Sequence, residues 1–201
     1  KLFREANVLY WAKALLGFVY DFINHAIADA SDPPPFAIPQ VRFVEAGLAL
    51  SYSQGNSKST LKTGTARTAF LLEEVIEGED FTKFIHNMDP DPLLDPDQDG
   101  YDFALFLAFM QHIQYAKTGG LVYISDYQGN TSLLTDPQIM THSSVSEGKD
   151  MFGGGNIEKA VNEFERRHVC NKFCKWPGFG LKTLGGGLAA VKALGEGLGV
   201  A

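Results

Sequence analysis

Cysteine is nearly absent. The 201-residue chain has two, Cys170 and Cys174, both in the stretch "HVCNKFC". So few exclude the disulfide-dense scaffold of a small secreted domain. Basic residues are outnumbered by acidic ones, 17 to 24, for a formal net charge of -7. A protein held on nucleic acid by phosphate contacts needs a basic face, so no nucleic-acid partner is expected. No apolar run reaches the roughly 18 residues of a membrane-spanning helix, and no signal-peptide pattern is visible. We therefore expect no membrane partner and an intracellular, cytoplasmic location. Internal repeats are lacking too. The chain starts at Lys1 directly on a helical pattern, so we expect its natural N-terminal segment to be missing.

What is present is an ordinary globular composition, long enough to bury a sizeable core in one domain or two small lobes. Residues 4–27 carry apolar side chains at helical spacing, with Val8, Trp11, Leu15, Val19, Phe22 and Ile23 on one face. The prolines of "SDPPP" end that helix. "VRFVEAGLAL" (41–50) and "TAFLLEEVI" (68–76) read as strands, and the polar, Gly/Ser-rich 51–65 between them as a mobile connection. Residues 77–87 form a short amphipathic segment. Residues 101–117, apolar almost all round, predict a central helix. "GGLVYISDYQG" reads as a turn, a buried strand and a polar exit. "EGKDMFGGGNIEKAVNEFERRH" reads as a glycine loop feeding an amphipathic helix with Ile157, Val161 and Phe164 inward. The glycine-rich 178–201 is expected to be weakly ordered. Strands and helices in this mixture predict an α+β fold.

"DPDQDGYDFALF" opens like a calcium loop, with Asp95, Asp97 and Asp99 at positions 1, 3 and 5 and Gly100 at 6. Position 12, which should be a bidentate glutamate, is Phe106. The better reading is a solvated loop whose Asp99 or Asp102 caps the following helix.

Cys170 and Cys174, four residues apart, would face one way on a helix and fit a disulfide badly. They lack the C-x-x-C spacing of thioredoxin-like redox sites. His168 offers a third metal ligand. A fourth must come from His25, His86, His112 or His142, and His112, in an apolar helix, is the imidazole with most need of a partner. Two readings stay open on spacing alone: a structural zinc site, or two core cysteines beside a capping histidine. Elsewhere, Asp126 leaves a hydrophobic strand, Gln128 shares its face by period two, and Asp136 precedes a proline turn. Two carboxylates and an amide oxygen suit Mg2+ or a general base beside it, and equally suit simple turn chemistry. "FGGGN" offers backbone N–H groups before a helix, a cradle for an anion or peptide, or only a turn.

Taken together, "HIQYAKTGGLVYISDYQG", "LLTDPQIMT" and "FGGGNIEKAVNEFERRHVCNKFC" resemble, in this order, the catalytic domain of the alpha-kinases. Those are the atypical protein kinases that include elongation factor 2 kinase, the myosin heavy chain kinases and the kinase domains of TRP channels. The strong match covers His112–Cys174, with a weaker one back to Glu5. "LYWAKALL" and "SDYQG" look most like the fungal branch.

The resemblance implies a two-lobed, protein-kinase-like α+β fold with an incomplete N-lobe and a zinc-stapled C-lobe. The catalytic domain would be 1–176, with the N-lobe portion over 1–76 and the C-lobe over 77–176, followed by a glycine-rich tail, 177–201. It implies an ATP-dependent serine/threonine protein kinase, with ATP and a Ser/Thr protein substrate as partners. Asp126 would be catalytic. Gln128 and Asp136 would hold Mg2+ on the nucleotide, and Glu73 and Ile76 would meet adenine at the hinge. Lys83 and Asn87 would lie near the phosphates, with one residue inserted near Asp80. Gly153, Gly155 and Asn156 would engage the peptide. His112, His168, Cys170 and Cys174 would be the ligands of a structural zinc. The chain departs from the pattern at Glu158, usually glycine, and at Ser132, often acidic. The family's phosphate-anchoring lysine precedes the first long helix, and Lys1 stands too close to that helix to be it. A pseudokinase or a zinc-stabilised interaction module is therefore the alternative.

Overall fold

A computed structural model describes residues 2–52, 66–78, 81–146, 152 and 157–185. The first helix, α1, spans Leu2–Asp29 and buries Val8, Leu9, Ala12, Leu16, Val19 and Ile23. Val8, Val19 and Ile23 of the predicted stripe are in it, and its other three members are not. Trp11 is 48% exposed, and Leu15 and Phe22 sit at the margin of the core. The prediction followed the largest apolar residues, whereas the small Ala12 is fully buried. The proline segment after α1 folds back onto it. The Tyr20 hydroxyl donates to Pro39 O and accepts from Val41 N–H, both at 2.9 Å.

The predicted strand 41–50 is two strands, β1 (Arg42–Phe43) and β2 (Ala46–Tyr52). The break is pinned by Glu74. Its carboxylate takes both Arg42 guanidinium nitrogens, at 2.6 and 2.7 Å, and the Glu45 N–H at 3.0 Å. The Arg42 bonds, with that of Glu45, hold the Glu74 carboxyl down to about 2. β3 (Ala66–Glu73) pairs antiparallel with β2, from Ala46 opposite Glu73 to Tyr52 opposite Ala66, so it stops three residues short of the predicted end. The expected mobile connection lies, from residue 53 to 65, outside the described residues.

The amphipathic segment contributes β4 (Thr82–Lys83). The second helix, α2, spans Tyr101–Lys117 as predicted and is buried on nearly every side. Its N-cap is Gly100, in a left-handed conformation (φ 87°), with no side-chain cap. The expected Asp99 or Asp102 cap is not used; the Asp102 carboxylate instead accepts from Lys172 Nζ at 2.8 Å. Then follow β5 (Val122–Ser125), β6 (Gln128–Gly129), β7 (Leu133–Thr135), β8 (Gln138–Thr141), α3 (Ser143–Ser146) and α4 (Glu158–Arg167).

The strands form three sheets: β1-β7-β6-β4, the β2–β3 hairpin and the β5–β8 ribbon. β1 runs parallel to β7, and the other pairs are antiparallel. β1 thus joins residues 42–43 to a sheet otherwise built from 82–135. At the β6–β7 turn only glycine fits: a Cβ on Gly129 (φ 141°) would lie 2.1 Å from Leu133 O.

The main core lies between α1 and α2 and is rich in aromatic rings. Phe173 packs on Phe106 and Phe109, and Phe179 on Phe109, with centroids 4.9–5.8 Å apart. Phe179 belongs to the stretch expected to be weakly ordered. The expectation fails for 178–185: a short 3-10 turn (Pro177–Phe179) seats Phe179, 2% exposed, in the core. Leu184 N–H then donates to the Cys170 sulfur at 3.2 Å. Glycine content hid the one large anchor that decides the matter. Residues 186–201 lie outside the described residues. Phe179→Ala should cost about 3–5 kcal/mol of folding stability, read by urea denaturation; a loss under about 0.5 kcal/mol would show the segment is not part of the core.

Candidate functional site

β5 delivers Asp126 to a corner. The aspartate, 5% exposed, takes φ 59°, and Asp136, between β7 and β8, takes φ 45°. Among the described residues these are the non-glycine residues with positive φ. Aspartate tolerates that region better than most residues, and such strain persists only where its surroundings over-determine it. The corner corrects the period-two argument: β5 ends at Ser125, and Gln128 begins a strand of a different sheet.

Asp126 and Gln128 come together by sheet register instead. β4 pairs with β6 so that Lys83 stands opposite Gln128, and β6 pairs with β7 so that Gln128 stands opposite Thr135. Lys83 Nζ lies 2.6 Å from Asp126 Oδ1, and Gln128 Nε2 donates to Asp136 Oδ2 at 3.1 Å. Burial raises the Asp136 carboxyl above its ordinary value and the Asp126 charge raises it further. The Gln128 bond and the Lys83 charge pull the other way. Two carboxylates in mutual repulsion beside a lysine and an amide are a place where added positive charge is stabilising.

The Ser125 hydroxyl donates to His86 O at 2.9 Å, tying the corner to the segment that carries Lys83 and Asn87. Asn87 is half-buried, and its side-chain oxygen has no hydrogen-bond partner.

Gln128 and Asp136 face a cleft of about 730 Å3 between α1, β3 and the β7–β8 turn. Val8, Leu9 and Leu71 give it an apolar wall, and Glu73, whose carboxylate accepts from Thr135 Oγ1 at 3.3 Å, stands at its edge. Ile76 does not line this cleft; it packs against the main core. Arg4, Glu5 and Phe152 also line it, and no motif or spacing pointed to them. Gly153, Gly155 and Asn156 lie outside the described residues.

A second cluster lies elsewhere. Ligand atoms of His112, His168, Cys170 and Cys174 all fall within 4.8 Å of one another, and all four residues are buried. Cys170 Sγ lies 3.7 Å from His112 Nδ1, and Cys174 Sγ lies 3.5 Å from His168 Nε2. α2 supplies His112 and the exit of α4 supplies His168. The cysteines do not share a helical face: Cys174 sits in a turn that Lys175 N–H closes onto Asn171 O at 3.1 Å, and Cys170 precedes that turn. Burial lowers His112 to about 4, and burial with the nearby His112 charge lowers His168 to about 3; burial raises the Cys174 thiol. Neutral imidazoles and sulfurs converging from separate elements are the donor set of a tetrahedral metal, and a cation would favour the thiolates that burial opposes. The cysteines are not joined as a disulfide. The aspartates at 95, 97 and 99 form no such cluster among the described residues. His25 instead lies beside Asp21 O, at 2.6 Å, and His142 beside Ser144.

Lys83→Met should lower stability by about 1–3 kcal/mol by leaving the Asp126 carboxylate buried without its cation. The double variant with Asp126→Asn should recover most of that loss in urea melts. No recovery would mean that the pair is not the origin of the effect.

The chain resembles known proteins in sequence and in fold. The model of the Alpha-kinase family matches residues 14–174. Alpha-protein kinase 2 of Mus musculus is 38% identical over 74 residues, 37% of this chain and 3% of that protein. The alpha-kinase domain of myosin-II heavy chain kinase A, solved in complex with AMP-PNP, superposes with a TM-score of 0.59. It is 21% identical over 90% of this chain and 58% of that one. The same domain with adenosine gives 0.59 at 22% identity, over 92% and 58%. The chain therefore spans less than two thirds of each of these relatives.

Proposed function

The chain belongs to the alpha-kinase family, and on that premise we propose that it works as an ATP-dependent serine/threonine protein kinase. The observation that carries this reading is the Lys83–Asp126 pair set beside Gln128 and Asp136 at the edge of the cleft. ATP would lie in that cleft, its base against Leu71 and Val8 near Glu73. The related myosin kinase domain was solved with AMP-PNP and with adenosine, which supports nucleotide binding on this fold.

Asp126 would orient the substrate hydroxyl and take its proton as the hydroxyl oxygen bonds to the γ-phosphorus and the bond to the β-phosphate oxygen breaks, releasing ADP. Little covalent chemistry falls to the protein, so positioning and charge supply most of the catalysis. Lys83, already on Asp126, would place its ammonium beside the transferring group. Asn87 would use its unpartnered oxygen nearby. Gln128 and Asp136 fit Mg2+ by their oxygen donors, and that ion, when bound, would neutralise phosphate charge. The glycine loop with Gly153, Gly155 and Asn156 would receive the peptide. We assign 1–76 to an N-lobe portion, 77–176 to the C-lobe and 177–201 to a tail whose first residues complete the core. No helix among the described residues is long and apolar enough to cross a membrane. An intracellular site of action belongs to the proposal. So does the fungal affinity, which rests on "LYWAKALL" and "SDYQG" alone.

Asp126→Ala should reduce phosphoryl transfer from radiolabelled ATP to a serine/threonine peptide by about 1000-fold or more while leaving the fold intact by circular dichroism. Retained transfer would refute the assignment. A wild-type protein that binds the peptide and transfers nothing would favour a binding-only module.

For the buried His/Cys cluster we propose structural Zn2+, with all four positions taken by protein and none left for catalysis. Structural zinc contributes roughly 10–16 kcal/mol in small zinc-finger peptides. Elemental analysis should return one zinc per chain, and a strong chelator should unfold the α2–α4 region. An unchanged melting temperature together with no zinc would exclude the site.

A further inference from the structure

β5 pairs with β8 along one edge, and along the other no strand is found among the described residues. That open edge is met by a row of polar side chains from α2 and its C-cap, Thr118. Gln111 Nε2 donates to Ile124 O at 2.9 Å, and Gln114 Oε1 accepts from Ile124 N–H at 2.8 Å. One turn on, the Thr118 hydroxyl accepts from Val122 N–H at 3.2 Å and lies 3.1 Å from Val122 O. Residues 111, 114 and 118 share one helix face, and in a strand residues 122 and 124 turn their backbone groups to one edge. The helix thus presents donors and acceptors to alternate residues, as a neighbouring strand would.

Both glutamines are fully buried in an otherwise apolar helix. Apolar residues would fill the space without this desolvation cost, so the need lies in the backbone they hold. Asp126 follows at once, in its left-handed conformation. The far side of the corner is fixed by Phe84 and Ile85, whose N–H groups donate to Tyr127 O at 2.9 and 3.3 Å, and by Ser125 on His86 O. The α2 row fixes the near side, and Gln114 also faces the Tyr127 hydroxyl.

We propose that Gln111, Gln114 and Thr118 are positioning residues that replace a neighbour strand for β5 and so set the corner from which Asp126 acts. The catalytic half of this statement rests on the kinase reading above; the structural half does not.

The test uses Gln114→Met and Thr118→Val, with Thr118→Ser as the conservative rescue and Leu16→Ala as a destabilised control outside the row. Amide hydrogen exchange at Ile124, Asp126 and Tyr127 should quicken by about tenfold or more in the first two variants. It should return toward wild type in Thr118→Ser. With MgATP and a serine/threonine peptide, kcat should fall about tenfold with KM for ATP within about threefold. Leu16→Ala should lose stability without that fall. Unchanged exchange at 126–127 in Gln114→Met would overturn the proposal, as would an equal loss of kcat in Leu16→Ala. A wild-type chain without phosphoryl transfer would end the kinase reading, and exchange would still decide whether the row sets the corner.

Discussion

Most of this structure follows from burying the polar groups of α2. The helix is covered on nearly every side, yet it carries Gln111, His112 and Gln114 at zero exposure. Each needs a partner that water cannot supply. Gln111 Nε2 and Gln114 Oε1 find theirs on the backbone of β5, and His112 Nδ1 lies 3.7 Å from the Cys170 sulfur. These requirements point in different directions around the helix, because residues one apart are separated by about 100°. They therefore fix its rotation as well as its place. A purely apolar helix could pack in several rotations at similar cost; this one cannot.

The two clusters at its sides have opposite electrostatic logic. In the His/Cys cluster burial disfavours the charged forms of His112, His168 and Cys174, so these imidazoles stay neutral and the Cys174 thiol resists ionisation. A divalent ion with four protein donors would resolve that conflict and leave no open position. At the Asp126 corner charges are already present and imperfectly balanced, with one lysine against two aspartates and a raised Asp136 carboxyl. That imbalance lies beside a cleft open to ligands. A closed cation site suits a staple, and an open site short of positive charge suits phosphate chemistry with an added metal ion.

The sequence was most legible where one periodicity or one motif dominates. The bounds of α2, the buried strand before Asp126 and the inward Val161 and Phe164 of α4 could be read directly. Order of motifs, more than any single motif, pointed to the family. Three things were not legible. Half of the α1 stripe was misplaced, because large residues drew attention from Ala12. The break at Val44–Glu45 depends on Glu74, about thirty residues away, which no local pattern reveals. Asp126 and Gln128 were linked by the wrong rule, because a positive φ on an aspartate leaves no trace in a window of alternating residues. Phe179 shows the same weakness from the composition side: a glycine-rich segment reads as loose until one ring finds a pocket.

The remaining question is why the corner is held so heavily. An aspartate in the left-handed region is disfavoured by itself, and on a free loop it would relax. Here it is bounded on one side by the α2 glutamines through Ile124 and on another by the exit of β4, through Phe84, Ile85 and His86. The same β4 places Lys83 against its carboxylate. α2 also carries His112, so a one-turn slip of that helix would disturb the His/Cys cluster and the β5 bonds together. The geometry of one side chain is thereby made to depend on core packing, which is stiff, rather than on a surface loop, which is not.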